Sequence, residues 1–237
     1  MDFWILSLLV FFSSFGIILL LQRLFGLMGL YLYNVLAVIA GNIQVLKTID
    51  VPYYSEPVAM GTFLFGTTFL VSDIITEHYG QKKAKEGIAI VFSAQVIFVA
   101  IMLPSLYYYP AGDQFSHDAH NAMNLLFQPS VRILIASIIS FAISLWMDIR
   151  LFAIIRKLTG DKWLYIRSNA SSMISGLADN IIFSLLAWKI LSPNPVGFET
   201  LIFTYILGTY GVRVFLSVIV TPVIYLSYFT KNGDELK

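Results

Sequence analysis

Seven stretches of this chain, at roughly residues 3–22, 26–46, 57–76, 87–104, 130–156, 169–190 and 200–228, are long and apolar enough to cross a lipid bilayer. The hydrocarbon core of a bilayer takes about 20 residues at helical rise. Backbone groups find no water partner there, so each stretch must be a helix. Composition agrees, with 58% of residues hydrophobic and 12% charged, against about half and about a quarter in a soluble domain. The sequence therefore predicts an all-α, polytopic transmembrane bundle of about seven helices, forming one domain over 1–237.

The first stretch lacks the basic start and small-residue cleavage site of a signal peptide, with Asp2 where a basic residue would stand, and is read as a retained helix. The chain has no cysteine, so thiol catalysis and Cys-based metal sites are excluded. A net charge of +1 gives no nucleic-acid footprint. With no Walker A pattern there is no visible means of using ATP, and no cofactor is expected.

Basic residues fix an orientation, because cytoplasmic loops carry the excess of Lys and Arg. In a seven-helix chain, Arg23, Lys82, Lys83, Lys85, Arg150, Arg156, Lys157, Lys162, Arg167, Lys231 and Lys237 all fall on one side; Lys47 and Lys189 fall on the other. The expectation is an N-terminus outside, a C-terminus in the cytoplasm, and an outer loop at 105–129 that holds no Lys or Arg. That loop carries His117 and His120 near Asp113 and Asp118, a spacing too common in polar loops to assign a metal site.

Ionisable residues within the apolar stretches tend to face a bundle interior or a water-filled cavity. Arg132 and Arg213 are two such residues. Around Arg213, the residues Tyr205, Thr209, Ser217 and Thr221 recur at four-residue spacing, a slowly turning polar stripe. In the sixth stretch Ser172, Gly176, Asp179 and Phe183 share one side, with Ser168 a turn before them. Asp179 lies too deep to snorkel, so it needs Arg213, a ligand or a proton; an ion pair that simply locks two helices is the lesser, structural reading, because ionisable residues within the membrane are functional sites by default. Ser171, Ser172 and Ser175, and the run Ala136, Ser140 and Ser144, have the small-residue spacing that lets helices approach closely. Asn42 is either packing glue or a ligand contact.

The segment Asp73-Ile74-Ile75-Thr76-Glu77-His78-Tyr79-Gly80 resembles the Asp-x-x-x-Glu-x-Tyr-Gly signature of the vitamin uptake transporter-like queuosine precursor transporter family. Gly41-Asn42 with Lys47, Pro129-Ser130-Val131-Arg132, Asp148, Arg167-Ser168-Asn169, Ser172, Ser175, Asp179, Phe183 and Thr221-Pro222 follow the same pattern in order, from about residue 30 to about 228. Three positions depart from it: Gly176, where a glutamine is common; Asn180, where threonine or serine is; and Arg213, often a lysine. Members commonly have six helices, so residues 1–24 read as an added N-terminal helix on a core at 26–228.

The resemblance implies import of a 7-deazaguanine-type base, such as 7-cyano- or 7-aminomethyl-7-deazaguanine or queuine, for tRNA modification. An ionised carboxylate at Asp179 suits the adjacent N–H donors of a guanine-like edge, Asn42 or Arg213 its acceptors, and Phe183 its ring face. Asp73, Glu77, Arg132, Ser172 and Asn180 complete the expected substrate-binding set. Asp73 and Glu77, one turn apart, read as an inner gate pairing with Arg167 or the fifth helix's basic run, as a site for a coupling proton on Glu77, or as a packing corner closed by Gly80. The leading expectation is a transporter and not an enzyme, with the bilayer and a nucleobase-like molecule as partners and a homodimer or an energising complex left open. The alternatives are a substrate-binding subunit that needs such a complex, and an intramembrane hydrolase, for which no Gly-x-Ser-x-Gly motif is present.

Overall fold

A computed structural model describes residues 3–50, 52, 58–127, 130–160 and 162–230. Asp2, Pro57, Pro129, Lys231 and Lys237 lie outside the described residues. The elements are α1 (Phe3–Gln44), a short antiparallel hairpin of β1 (Thr48–Ile49) and β2 (Val58–Ala59), α2 (Gly61–Ser105), α3 (Gln114–Phe127), α4 (Ser130–Thr159), α5 (Leu164–Ser184), α6 (Phe198–Thr200) and α7 (Thr209–Thr230). Five helices are long and apolar enough to cross a membrane.

Two of those five are too long for one crossing. The 42 residues of α1 and 45 of α2 would reach more than about 60 Å at 1.5 Å per residue, twice the hydrocarbon core of about 30 Å. Each is broken by a glycine, Gly26 (φ 56°, ψ −131°) in α1 and Gly80 (φ 84°, ψ 165°) in α2. Contacts show that both fold back on themselves. Asn42 reaches Gln95 while Tyr31 reaches the Lys83 carbonyl, yet Tyr33 bonds Thr67, so the limbs of α2 run antiparallel on either side of Gly80. In α1 a Cβ at Gly29 would sit 2.1 Å from the Leu21 carbonyl oxygen, so only glycine permits that approach. The chain thus makes seven crossings, as the apolar stretches predict.

The bundle is apolar outside, and its interior combines apolar clusters with many polar side chains. Phe12, Met28, Ile101, Phe215 and Phe229 are exposed, whereas Gln22, Asn34, Asp73, Gln95, Asp148, Arg167, Asn169 and Asp179 are buried. That arrangement suits lipid, where helix association relies on close packing and interhelical hydrogen bonds rather than on hydrophobic exclusion from water. The small-residue run of α4 meets this expectation, with Ala136, Ser140 and Ser144 all buried.

The two ends of the bundle are built differently. Gly26, Gly80 and Gly160, all with positive φ, make tight reversals at the end that carries the basic clusters. The opposite end holds the β-hairpin, α3 and the 191–197 connection. The sequence reading of 105–129 as a loop needs correction, since α3 occupies 14 of its residues. Asp113 caps that helix, accepting from the Ser116 N–H at 3.0 Å and the Ser116 hydroxyl at 2.6 Å. These two bonds from Ser116 hold its carboxyl below the usual range. At 14 residues α3 is too short to cross a bilayer.

Candidate functional site

A partly open cavity of about 310 Å³ lies at the hairpin end, bounded by the turn after α1, the hairpin, and residues of α2, α4, α5 and α7. That is within the range of small-molecule sites, about 300–1,000 Å³. Aromatic side chains line part of it, namely Phe65, Phe141, Phe183, Trp188 and Tyr205, with Asp179, Asn180, Thr209 and Arg213 among its polar groups. Trp188 and Tyr205 stack on each other with centroids 4.9 Å apart.

Asp179 is the anchor of the polar group. Arg213 Nη2 lies 2.5 Å from its Oδ2, and the Ser144 hydroxyl donates to its Oδ1 at 3.2 Å. The two side chains are only 7% and 14% exposed, so the charges sit at the border between protein and cavity. Asn180, the next residue, donates from Nδ2 to the Thr209 hydroxyl at 2.9 Å and the Ile206 carbonyl at 3.3 Å. That carbonyl belongs to one of two π-helical turns flanking the cavity, Leu201–Gly208 and Leu185–Ile190. Wide turns of this kind recur at functional sites because they displace backbone groups from the regular ladder. Here they bring Tyr205 and Trp188 to the cavity wall.

Beneath Arg213, toward the basic end, is a second cavity of about 30 Å³, lined by Asp73, Ser168, Ser172, Gly176, Arg213 and Ser217 among others. The Ser168 hydroxyl donates to Asp73. Ser172 and Ser175 donate to Asp148 at 3.3 and 3.0 Å. One turn further along α2, Glu77 pairs with Arg167 at 2.5 Å and Arg156 at 3.5 Å, and accepts from the Tyr228 hydroxyl. Arg167, 1% exposed, also donates to the carbonyls of Gly160 and Lys162. This network ties α2, α4, α5 and α7 together at the basic end.

The residues singled out in the sequence therefore fall into layers. Asp179, Asn180, Phe183 and Arg213 line the larger cavity; Asp73 and Ser172 line the smaller one; Glu77 lies deeper, in the ion-pair network. Asn42 stands behind the cavity wall, accepting from Ser137 at 2.5 Å and donating to Gln95 at 2.8 Å. It holds Ser137, which lines the cavity, instead of facing it directly. Arg132 is not brought to the site. It is the third residue of α4 and exposed, because a guanidinium this near a helix end can extend to the membrane surface. Gln95, Ser137 and Trp188 were not anticipated. Ser144, read only as a packing residue, also bonds Asp179.

A family model described as "Putative vitamin uptake transporter" matches residues 59–227, from the start of α2 almost to the end of α7. A protein of Bacillus subtilis (strain 168) named "Probable queuosine precursor transporter" is 28% identical over 235 residues, covering 99% of this chain and 97% of its own length. No solved structure matches the chain.

Proposed function

Because the chain belongs to the vitamin uptake transporter family and is a multi-pass membrane protein, we propose that it is a carrier importing a queuosine precursor, a 7-deazaguanine-type base used in tRNA modification. The observation that carries this reading is the Asp179 carboxylate, fixed beside Arg213 in a cavity whose other walls combine aromatic rings with serine and threonine hydroxyls. A guanine-like edge offers adjacent N–H donors to the carboxylate and a carbonyl to the guanidinium. Docking displaces Arg213 from Asp179 Oδ2. Phe183 or the Trp188–Tyr205 pair then covers the ring face.

The positive-inside rule places the basic end in the cytoplasm of a bacterial or archaeal host, with the N-terminus outside and the C-terminus inside. The larger cavity then faces outward. The network of Glu77, Arg167, Arg156 and Tyr228 acts as the closed inner gate, with Asp73 and Ser172 between gate and cavity. We read the whole chain as one transport domain.

The test is uptake by cells that can neither make nor import these bases but can use them, expressing this chain alone and scored as queuosine in tRNA. Restoration by one base, lost on Asp179→Ala while the protein still reaches the membrane, is the expected result. No restoration by any base, with membrane expression verified, overturns the lone-carrier reading; uptake into liposomes containing only this protein then separates a missing energising subunit from a different ligand.

A further inference from the structure

Asp73 of α2 and Asp148 of α4 are almost completely buried, at 1% and 0% exposure, and face the same side of α5, where their donors Ser168 and Ser172 stand one turn apart. Neither takes part in an ion pair among the described residues; Ser168 serves Asp73, and Ser172 and Ser175 serve Asp148. One oxygen of each, Asp73 Oδ1 and Asp148 Oδ2, has no hydrogen-bond donor. Two facing carboxylates in a low-dielectric interior cannot both stay ionised, whereas one proton between them supplies the missing donor.

Among the described residues, Arg213 is the cation that shares a cavity with Asp73. On α2 the nearest charge is Glu77, already paired with Arg167 and Arg156. α5 contributes serine hydroxyls, and the one charged residue of α1, Arg23, is exposed. α7 contributes Arg213, which lines both cavities: Nη2 holds Asp179 above, and Nη1 has no acceptor. Asp73 lines the lower cavity with it. Space remains beside the guanidinium at Gly176, where a Cβ would lie 3.9 Å from Nη1, an ordinary contact distance. At about 30 Å³ the lower cavity has room for a water.

We propose that Asp73 and Asp148 hold one proton between them, and that a base docking on Asp179 drives it off to water by freeing Arg213 to approach Asp73. The proton leaves a carboxyl and the guanidinium replaces its charge, so no other reactant is needed. This makes the pair the proton site that links substrate occupancy to ion movement. It rests on the carrier reading above, and takes that reading's base as its ligand.

The test adds 7-cyano-7-deazaguanine to the purified full-length protein in weak buffer with a pH indicator. Wild type should release about one proton per base bound, and its affinity should rise with pH by up to tenfold per unit. Asp73→Asn and Asp148→Asn should release none and bind with an affinity flat in pH. Binding without proton release, or release that persists in both variants, overturns the coupling and leaves the carrier intact. Binding that instead depends on sodium in a manner lost in both variants marks a metal-cation site and overturns it too. Infrared spectroscopy of the protein without base supplies an arm independent of variants and ligand. A protonated-carboxyl stretch at neutral pH, removed by either substitution, supports the shared proton, and its absence from wild type sinks it. If the base does not bind at all, the carrier's substrate and the coupling fall together.

Discussion

The hairpin half and the basic half of the bundle interior each centre on a buried carboxylate and arginine, yet the two pairs are built for different ends. Glu77 and Arg167 are 4% and 1% exposed, and Arg156, Tyr228 and the carbonyls of Gly160 and Lys162 give them further partners, leaving Arg167 Nε without an acceptor among the described residues in a closed interior. Asp179 and Arg213 have one supporting hydroxyl, an unpartnered Nη1 and an open cavity beside them. A closed pair with many protein partners holds helices together. A pair with few partners beside a cavity keeps bonding capacity for something that arrives.

The comparison yields an ordering that experiments can break. Arg167→Ala leaves Glu77 without its main partner in a closed interior and should cost about 3–5 kcal/mol, read as a large fall in thermal unfolding temperature in detergent. Arg213→Ala should cost less than half as much, since the cavity admits water to Asp179; equal losses would end the distinction. Gly61→Ala comes next. Its Cβ would lie 2.4 Å from the Gly41 carbonyl oxygen and 3.0 Å from the Val45 nitrogen, backbone atoms that cannot yield. Forcing α1 from α2 beside the cavity should cost about 1–3 kcal/mol and reduce uptake.

Asp179→Asn removes charge while keeping shape. Base affinity should fall about 10- to 100-fold, the value of charged hydrogen bonds at about 1.5–3 kcal/mol, measured by direct binding. The smallest effect is expected at Ser137→Ala, which takes the donor from Asn42 Oδ1. It should lower stability by about 1 kcal/mol and change base affinity less than threefold; a loss as large as that of Asp179→Asn would move Asn42 and Ser137 into the contact layer.

Much of this was legible in the sequence because transmembrane helices obey a simple code. Seven crossings followed from apolar length. The stripe of Tyr205, Thr209, Arg213 and Ser217 and the face of Ser172, Gly176, Asp179 and Phe183 followed from helical spacing, and both border the two cavities. Arg213 and Arg167 were already named as candidate partners of Asp179 and Glu77. What spacing could not provide was the rotation of one helix against another. Gln95, Ser137 and Ser144 look like any polar or small residues in a span until Asn42 and Asp179 lie opposite them. Backbone irregularity was equally hidden: nothing in Leu185–Ile190 or Leu201–Gly208 announces a π turn. Arg132 misled because a linear sequence does not show how close a helix start lies to the surface.

The three positive-φ glycines at the basic end have a practical consequence for anyone who wishes to label this protein. Reversals at Gly26 and Gly80 occupy a single residue between helical limbs, so an inserted epitope or fluorescent module there would separate limbs that pack directly on each other. The 106–113 and 191–197 segments, exposed over much of their length and outside the long helices, are where insertions are tolerated. Reporters therefore belong on the hairpin side, and accessibility of a tag placed there, in intact cells against lysed ones, would also read out which way the bundle sits.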